Sequence, residues 1–94
     1  MKKNTKARLR KILSQIEKAL EQRSEESPQD IGTIVTNIIL FEDFEGILIK
    51  ESSKLEDVLD FAADLEVTKT EPYVAELFSN LMTKIEELKN SLSD

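Results

Sequence analysis

Apolar residues in this 94-residue chain recur at helical spacing in four successive segments, and that recurrence constrains the fold more than any other feature. In the first, Leu9, Ile12, Leu13, Ile16, Ala19 and Leu20 follow the i, i+3, i+4, i+7 rule of one helical face, over about Thr5 to Gln22, with Asn4 as a candidate N-cap. The stretch Ser24 to Asp30 has no apolar residue. Within it, Ser27 followed by Pro28 has the form of an N-cap with proline at the first helical position. The second segment runs from about Pro28 to Phe41, with Ile31, Ile34, Val35, Ile38 and Phe41 on one face. The third runs from Phe44 to Glu66, capped by Asp43. Phe44, Ile47, Leu48, Leu55, Val58, Leu59, Ala62 and Leu65 form its stripe, interrupted at the centre only by Glu51. The fourth opens after Thr70, a candidate cap, and carries Val74, Leu77, Phe78, Leu81, Ile85, Leu88 and Leu92 on one face. Ile49 and Phe61 lie off the third stripe, and Tyr73 and Met82 off the fourth; they are candidate contact points.

Four helices joined by short links predict an all-α fold, a small antiparallel four-helix bundle in a single domain spanning 1–94, with 1–6 as a basic, frayed arm. The competing topology is α+β: helix, β-hairpin, helix, helix, with strands near 33–41 and 46–50. It draws on nine β-branched residues among the nineteen from 31 to 49, and on Gly46, which could supply a positive φ in a hairpin loop. Three points favour the bundle. An isolated two-stranded sheet is marginal; residues 38–41 do not alternate; and the third stripe crosses the supposed turn without a change of phase. Only two glycines and two prolines are present, too few for the turns of a sandwich or barrel. The helices are of unequal length, which would leave an apolar edge for a partner or a second copy.

Histidine, cysteine and tryptophan are all absent. Nucleophile pairs that need His or Cys, zinc sites of the usual kind and disulfides are therefore excluded. Gly32 and Gly46 belong to no phosphate-cradling motif. Asp57, Asp60 and Asp64 share a helix face, but no second acidic helix and no EF-hand loop accompanies them, so they read as solvated; no metal and no cofactor is expected. A carboxylate pair drawn from Glu42, Asp43 and Glu45 would need an aromatic-lined cleft for glycosidic chemistry, and four of the five aromatics are phenylalanines suited to a core. The expectation is that the chain is not an enzyme. The longest apolar run is Ile38 to Phe41, far short of a membrane span, and no apolar stretch follows the charged residues 2–6. The chain reads as cytoplasmic.

Charge is divided unevenly. Residues 1–23 carry eight cations and two acids, net +6; residues 24–94 carry five cations and seventeen acids, net −12. The basic set is Lys2, Lys3, Lys6, Arg8, Arg10 and Lys11. It reads as a solubilising arm, as a contact for phosphate or an acidic surface, or as a counterpart to the acidic remainder of the same chain or of a second copy. The acidic remainder suits a basic protein partner and opposes nucleic acid. Candidate partner-binding residues are Asp57, Asp60, Asp64, Glu42, Asp43 and Glu45. These features predict a small acidic protein-interaction module of the inhibitor, immunity-protein or antitoxin kind, binding a basic or membrane-acting protein. Small four-helix immunity proteins of bacteria look like this in length and architecture, an analogy of fold class without a shared motif. The alternatives are a regulatory or structural homodimer paired through the long last helix, and a nucleic-acid accessory protein using the basic arm.

Overall fold

The computed structural model describes residues 2–93 as an all-α bundle, with no strand among them. Its helices are α1 (Lys3–Gln22), α2 (Pro28–Glu42), α3 (Ile47–Glu51), α4 (Ser53–Val67) and α5 (Tyr73–Leu92). The four long ones run up and down in the ring order α1, α2, α4, α5. Cross-links fix the directions. Gln15 and Lys11 of α1 reach Glu42 at the end of α2. Gln29 at the start of α2 donates to the Thr68 carbonyl beyond the end of α4, at 3.3 Å. Arg10 of α1 donates to the Leu92 carbonyl at the end of α5, at 2.8 Å. Twenty residues at 1.5 Å make ~30 Å of helix, and the molecule measures 40 × 23 × 21 Å.

The hairpin alternative fails, and its own key residue shows why. Gly46 does take a positive φ of 73°, but it turns one helix into the next rather than one strand into another. The expected third helix is also divided. Ser52 adopts an extended backbone, and its hydroxyl accepts from the Leu55 amide at 3.3 Å, so α4 starts afresh there with a capped end. What remains before it is α3, a five-residue helix that plugs Leu48 into the core. Ser27 caps α2 as expected, accepting from the Asp30 amide at 3.2 Å, with Pro28 in the first turn. Two other expected caps are replaced. α1 begins at Lys3 with no side-chain cap, and α5 begins at Tyr73 rather than after a capping Thr70. Residues 3–6 thus form the first turn of α1. Thr5 is buried there and donates its hydroxyl hydrogen bond to Glu51 of α3.

The core is built from Leu9, Ile12, Leu13 and Ile16 of α1, Ile31, Val35 and Ile39 of α2, Leu55, Val58, Ala62 and Leu65 of α4, and Val74, Leu81, Ile85, Leu88 and Leu92 of α5, with Leu48. Leu59, centred in the expected stripe of α4, is only partly buried. On α2 the packed face is turned from the expected one by about 100°, one residue step of a helix. Gly32 and Thr36 face inward with Ile31, Val35 and Ile39, while Ile34 and Ile38 move to the margin and Phe41 faces out. Small residues are the cause, because they let α4 approach. A Cβ added at Gly32 would lie 2.7 Å from the Ala62 carbonyl oxygen, 3.0 Å from the Glu66 nitrogen and 3.2 Å from the Leu65 Cβ.

In an open helix, Gly→Ala gains about 0.5–1 kcal/mol from backbone entropy. Gly32→Ala should reverse that sign, because its new methyl meets α4 backbone that cannot swing aside. A net loss of about 1–3 kcal/mol is expected, read as a lower urea midpoint with unchanged slope. A gain in stability would show that α2 and α4 are not held this closely.

Candidate functional site

The candidate acidic residues divide into those used inside the fold and those facing out. Asp43 is buried, 2% exposed, and both its oxygens are occupied: they accept from the Leu48 and Ile49 amides, each at 2.9 Å. The first amides of a five-residue helix have no partner within it and need an acceptor, and Asp43 is the one the turn delivers. It is therefore no part of a contact surface. Glu42 accepts from the Gln15 amide at 2.8 Å and pairs with Lys11 at 3.5 Å. The Gln15 hydrogen bond, with the Lys11 and Arg8 charges, outweighs partial desolvation and holds the Glu42 carboxyl below its ordinary pKa of 4.5.

A lowered folded pKa stabilises the fold above the ordinary value and loses that contribution as pH falls through the folded one. Glu42→Gln is therefore expected to be less stable than the parent at about pH 7, with the gap narrowing as pH falls below the ordinary carboxylate range, measured as urea midpoints across pH. A gap independent of pH would show that the Glu42 charge is not involved.

Glu45 is exposed in the turn before α3. Asp60 and Asp64 are exposed on α4, and Asp57 is half-buried, 4.0 Å from Lys84. Among the described residues, no group of three acidic side chains converges as a metal site would require. The basic set stands along the first turns of α1, and part of it bonds to other parts of the chain. Arg10 holds the last carbonyl of the α5 helix, where a cation complements the helix dipole. Lys11 pairs with Glu42. Lys6 is half-buried, whereas Lys2, Lys3 and Arg8 are exposed. Lys11, paired with Glu42, accords with the third reading of the arm, a counterpart to the acidic remainder, whereas the contact given for Arg10 is to a backbone carbonyl.

Two surfaces remain where apolar side chains meet solvent. The first is a hollow of about 710 Å³ where α4 ends and α5 begins. Val67 and Tyr73 stand exposed in it beside the half-buried Leu77, and Asp64, Glu76 and Lys69 edge it. The second lies at the opposite end of the bundle, on α2 and the turn after it. Phe41 is 80% and Phe44 81% exposed, flanked by Leu40 and Ile47, each nearly half-exposed. Shallow hollows along α2, lined by Gln15, Asn37, Ile38 and Leu40, continue this face. Of the off-stripe residues, Ile49, Phe61 and Met82 pack partly buried against the core, and only Tyr73 stands out. The outward turn of Phe41 and Phe44 was not legible in their spacing. The signal that could have found it is the lack of any charge from 31 to 41.

No helix among the described residues is long and apolar enough to cross a membrane. Comparison with protein-family models, with curated proteins and with solved structures finds no match.

Proposed function

We propose that this chain is a small protein-interaction module, of the inhibitor, immunity-protein or antitoxin kind, that acts by binding a basic protein and not by catalysis. The observation that carries this reading is the hollow at the α4–α5 corner. Exposed Val67 and Tyr73 form an apolar anchor there, and on its edge the two acids Asp64 and Glu76 outnumber the one cation, Lys69. Apolar anchors inside a charged rim are the usual anatomy of an interface hot spot. Asp60 and the remaining acidic surface extend the negative field along α4, which would steer a cationic partner.

The test is capture of bound proteins at low and high salt with three forms of the chain. Asp57→Asn/Asp60→Asn/Asp64→Asn should slow association and flatten its salt dependence with the helical circular dichroism unchanged. Val67→Ser/Tyr73→Ser should shorten the lifetime of the complex. Lys3→Gln/Arg8→Gln should change little. If the Lys3 and Arg8 variant alone abolishes binding, or if nucleic acid is the captured species, the nucleic-acid reading replaces this one.

A further inference from the structure

We propose that two copies of this chain pair through the outward faces of their α2 helices, with Phe41 and Phe44 as anchors. This contact is separate from the α4–α5 corner and does not depend on it. A two-fold dimer sets a surface patch against itself. A patch of one charge sign then opposes like charges, so the face best able to meet its own copy is an uncharged one. Residues 31–41 are the longest uncharged run in a chain of which 34% is charged. The outward sides of the other long helices all carry charge. α1 presents Arg8, Lys11 and Lys18, α4 presents Glu56, Asp60 and Asp64, and α5 presents Glu76, Glu86 and Lys89. At the edge of the α2 face Glu42 is already balanced by Lys11, and Glu45, exposed beside Phe44, is the acid that pairing brings toward its own copy. Lys18 and Arg23 flank the Ile34 end, which places the centre of the contact toward Asn37 and Phe44.

Area and polarity agree with this occupant. A phenylalanine buries ~150–250 Å². Four of them, two from each copy and each about four-fifths exposed, bring roughly 500–800 Å² to the contact. Leu40, Ile47 and the half-buried Ile38 then bring it to the ~1,000 Å² that a specific interface needs. Asn37, exposed in the middle of the face, carries both a donor and an acceptor, so its amide can pair with its own copy. The last helix, the pairing element of the homodimer alternative, keeps Val74, Leu81, Ile85, Leu88 and Leu92 in the core.

Sedimentation equilibrium of the full chain tests the proposal. The parent should shift with concentration toward twice the chain mass. It should do so more readily at high salt, because each copy carries a net charge of −6 and screening relieves their repulsion. Phe41→Ser/Phe44→Ser should weaken self-association by roughly tenfold or more with the melting temperature of the monomer unchanged. Asn37→Asp, which sets like charges across the two-fold axis without removing apolar area, should weaken it as well. Asp60→Asn/Asp64→Asn should not weaken it. A parent that stays monomeric at every concentration overturns the proposal, as does a dimer that survives both α2 variants. A monomer whose Phe41→Ser/Phe44→Ser form instead loses binding to anionic lipid vesicles overturns it in favour of a membrane surface.

Discussion

Truncating Leu81 to alanine is expected to remove about 2–5 kcal/mol of stability. Leu81 lies at the middle of α5 and is fully buried, within the row Val74, Leu81, Ile85, Leu88 and Leu92. The loss has two parts, the transfer of the deleted carbons and the cavity left where the packed core cannot collapse. α5 lines the core over its whole length, between α4 on one side and α1 on the other, so relaxation on one side opens space on the other. Small domains have total stabilities of about 5–15 kcal/mol, so this single change would consume a large share. Leu59→Ala supplies the contrast. Leu59 has the same chemistry on α4 but is only partly buried, so a loss of about 1–2 kcal/mol is expected. Urea unfolding followed by circular dichroism measures both. Equal losses at the two positions, or a loss under about 1 kcal/mol at Leu81, would mean that α5 is not seated as described.

The two leucines also mark how far the sequence could be read. Period alone located α1, α2 and α5 within a few residues, because large apolar side chains dominate the packed faces of α1 and α5. It named all of their buried residues but Thr5, and it also counted Ala19, Leu20, Leu77 and Phe78, which are only partly buried. On α2 the same reasoning misplaced the face, since counting large side chains gives Ile34, Ile38 and Phe41 weight and gives Gly32 and Thr36 none. Yet Gly32 sets how closely α4 approaches, and α2 turns to present it. The break at Ser52 was hidden for a related reason. Leu48 and Leu55 are seven residues apart, two full turns, so the stripe stays in phase across an interruption that belongs to the backbone. Of the candidate site, the exposed Asp60, Asp64 and Glu45 behave as charge patterning implies, whereas Glu42 and Asp43 do not. For Asp43 the local signal was its place as a candidate cap before the third segment, and its carboxylate does serve the first amides of α3; for Glu42 no local signal marked the contact with α1.

Asp43→Ala is the second large effect expected, about 2–4 kcal/mol. The Asp43 amide closes α2 onto the Ile39 carbonyl at 2.8 Å, and its own carbonyl accepts from Gly46 at 2.8 Å. Its carboxylate then serves the Leu48 and Ile49 amides. Removing the side chain leaves both amides without an acceptor in a part-buried position, and each such orphan costs about 1–3 kcal/mol. A helix as short as α3 has little else to hold it, apart from Leu48 in the core and the Thr5–Glu51 hydrogen bond. Asp43→Asn keeps one acceptor oxygen and turns a donor toward the other amide, so it should fall between Asp43→Ala and the parent. Glu45→Ala, two residues on and exposed, should cost nothing measurable. The decisive readout is local: hydrogen exchange at the Leu48 and Ile49 amides should accelerate strongly in Asp43→Ala and stay slow in Glu45→Ala. Unchanged protection at both amides would show that Asp43 does not hold α3. Because α3 and its turn carry Phe44 and Ile47, opening them also disperses half of the proposed α2 contact. Asp43→Ala should therefore weaken self-association although Asp43 touches no partner, and the exchange data separate that indirect loss from the direct loss in Phe41→Ser/Phe44→Ser, where Leu48 and Ile49 remain protected.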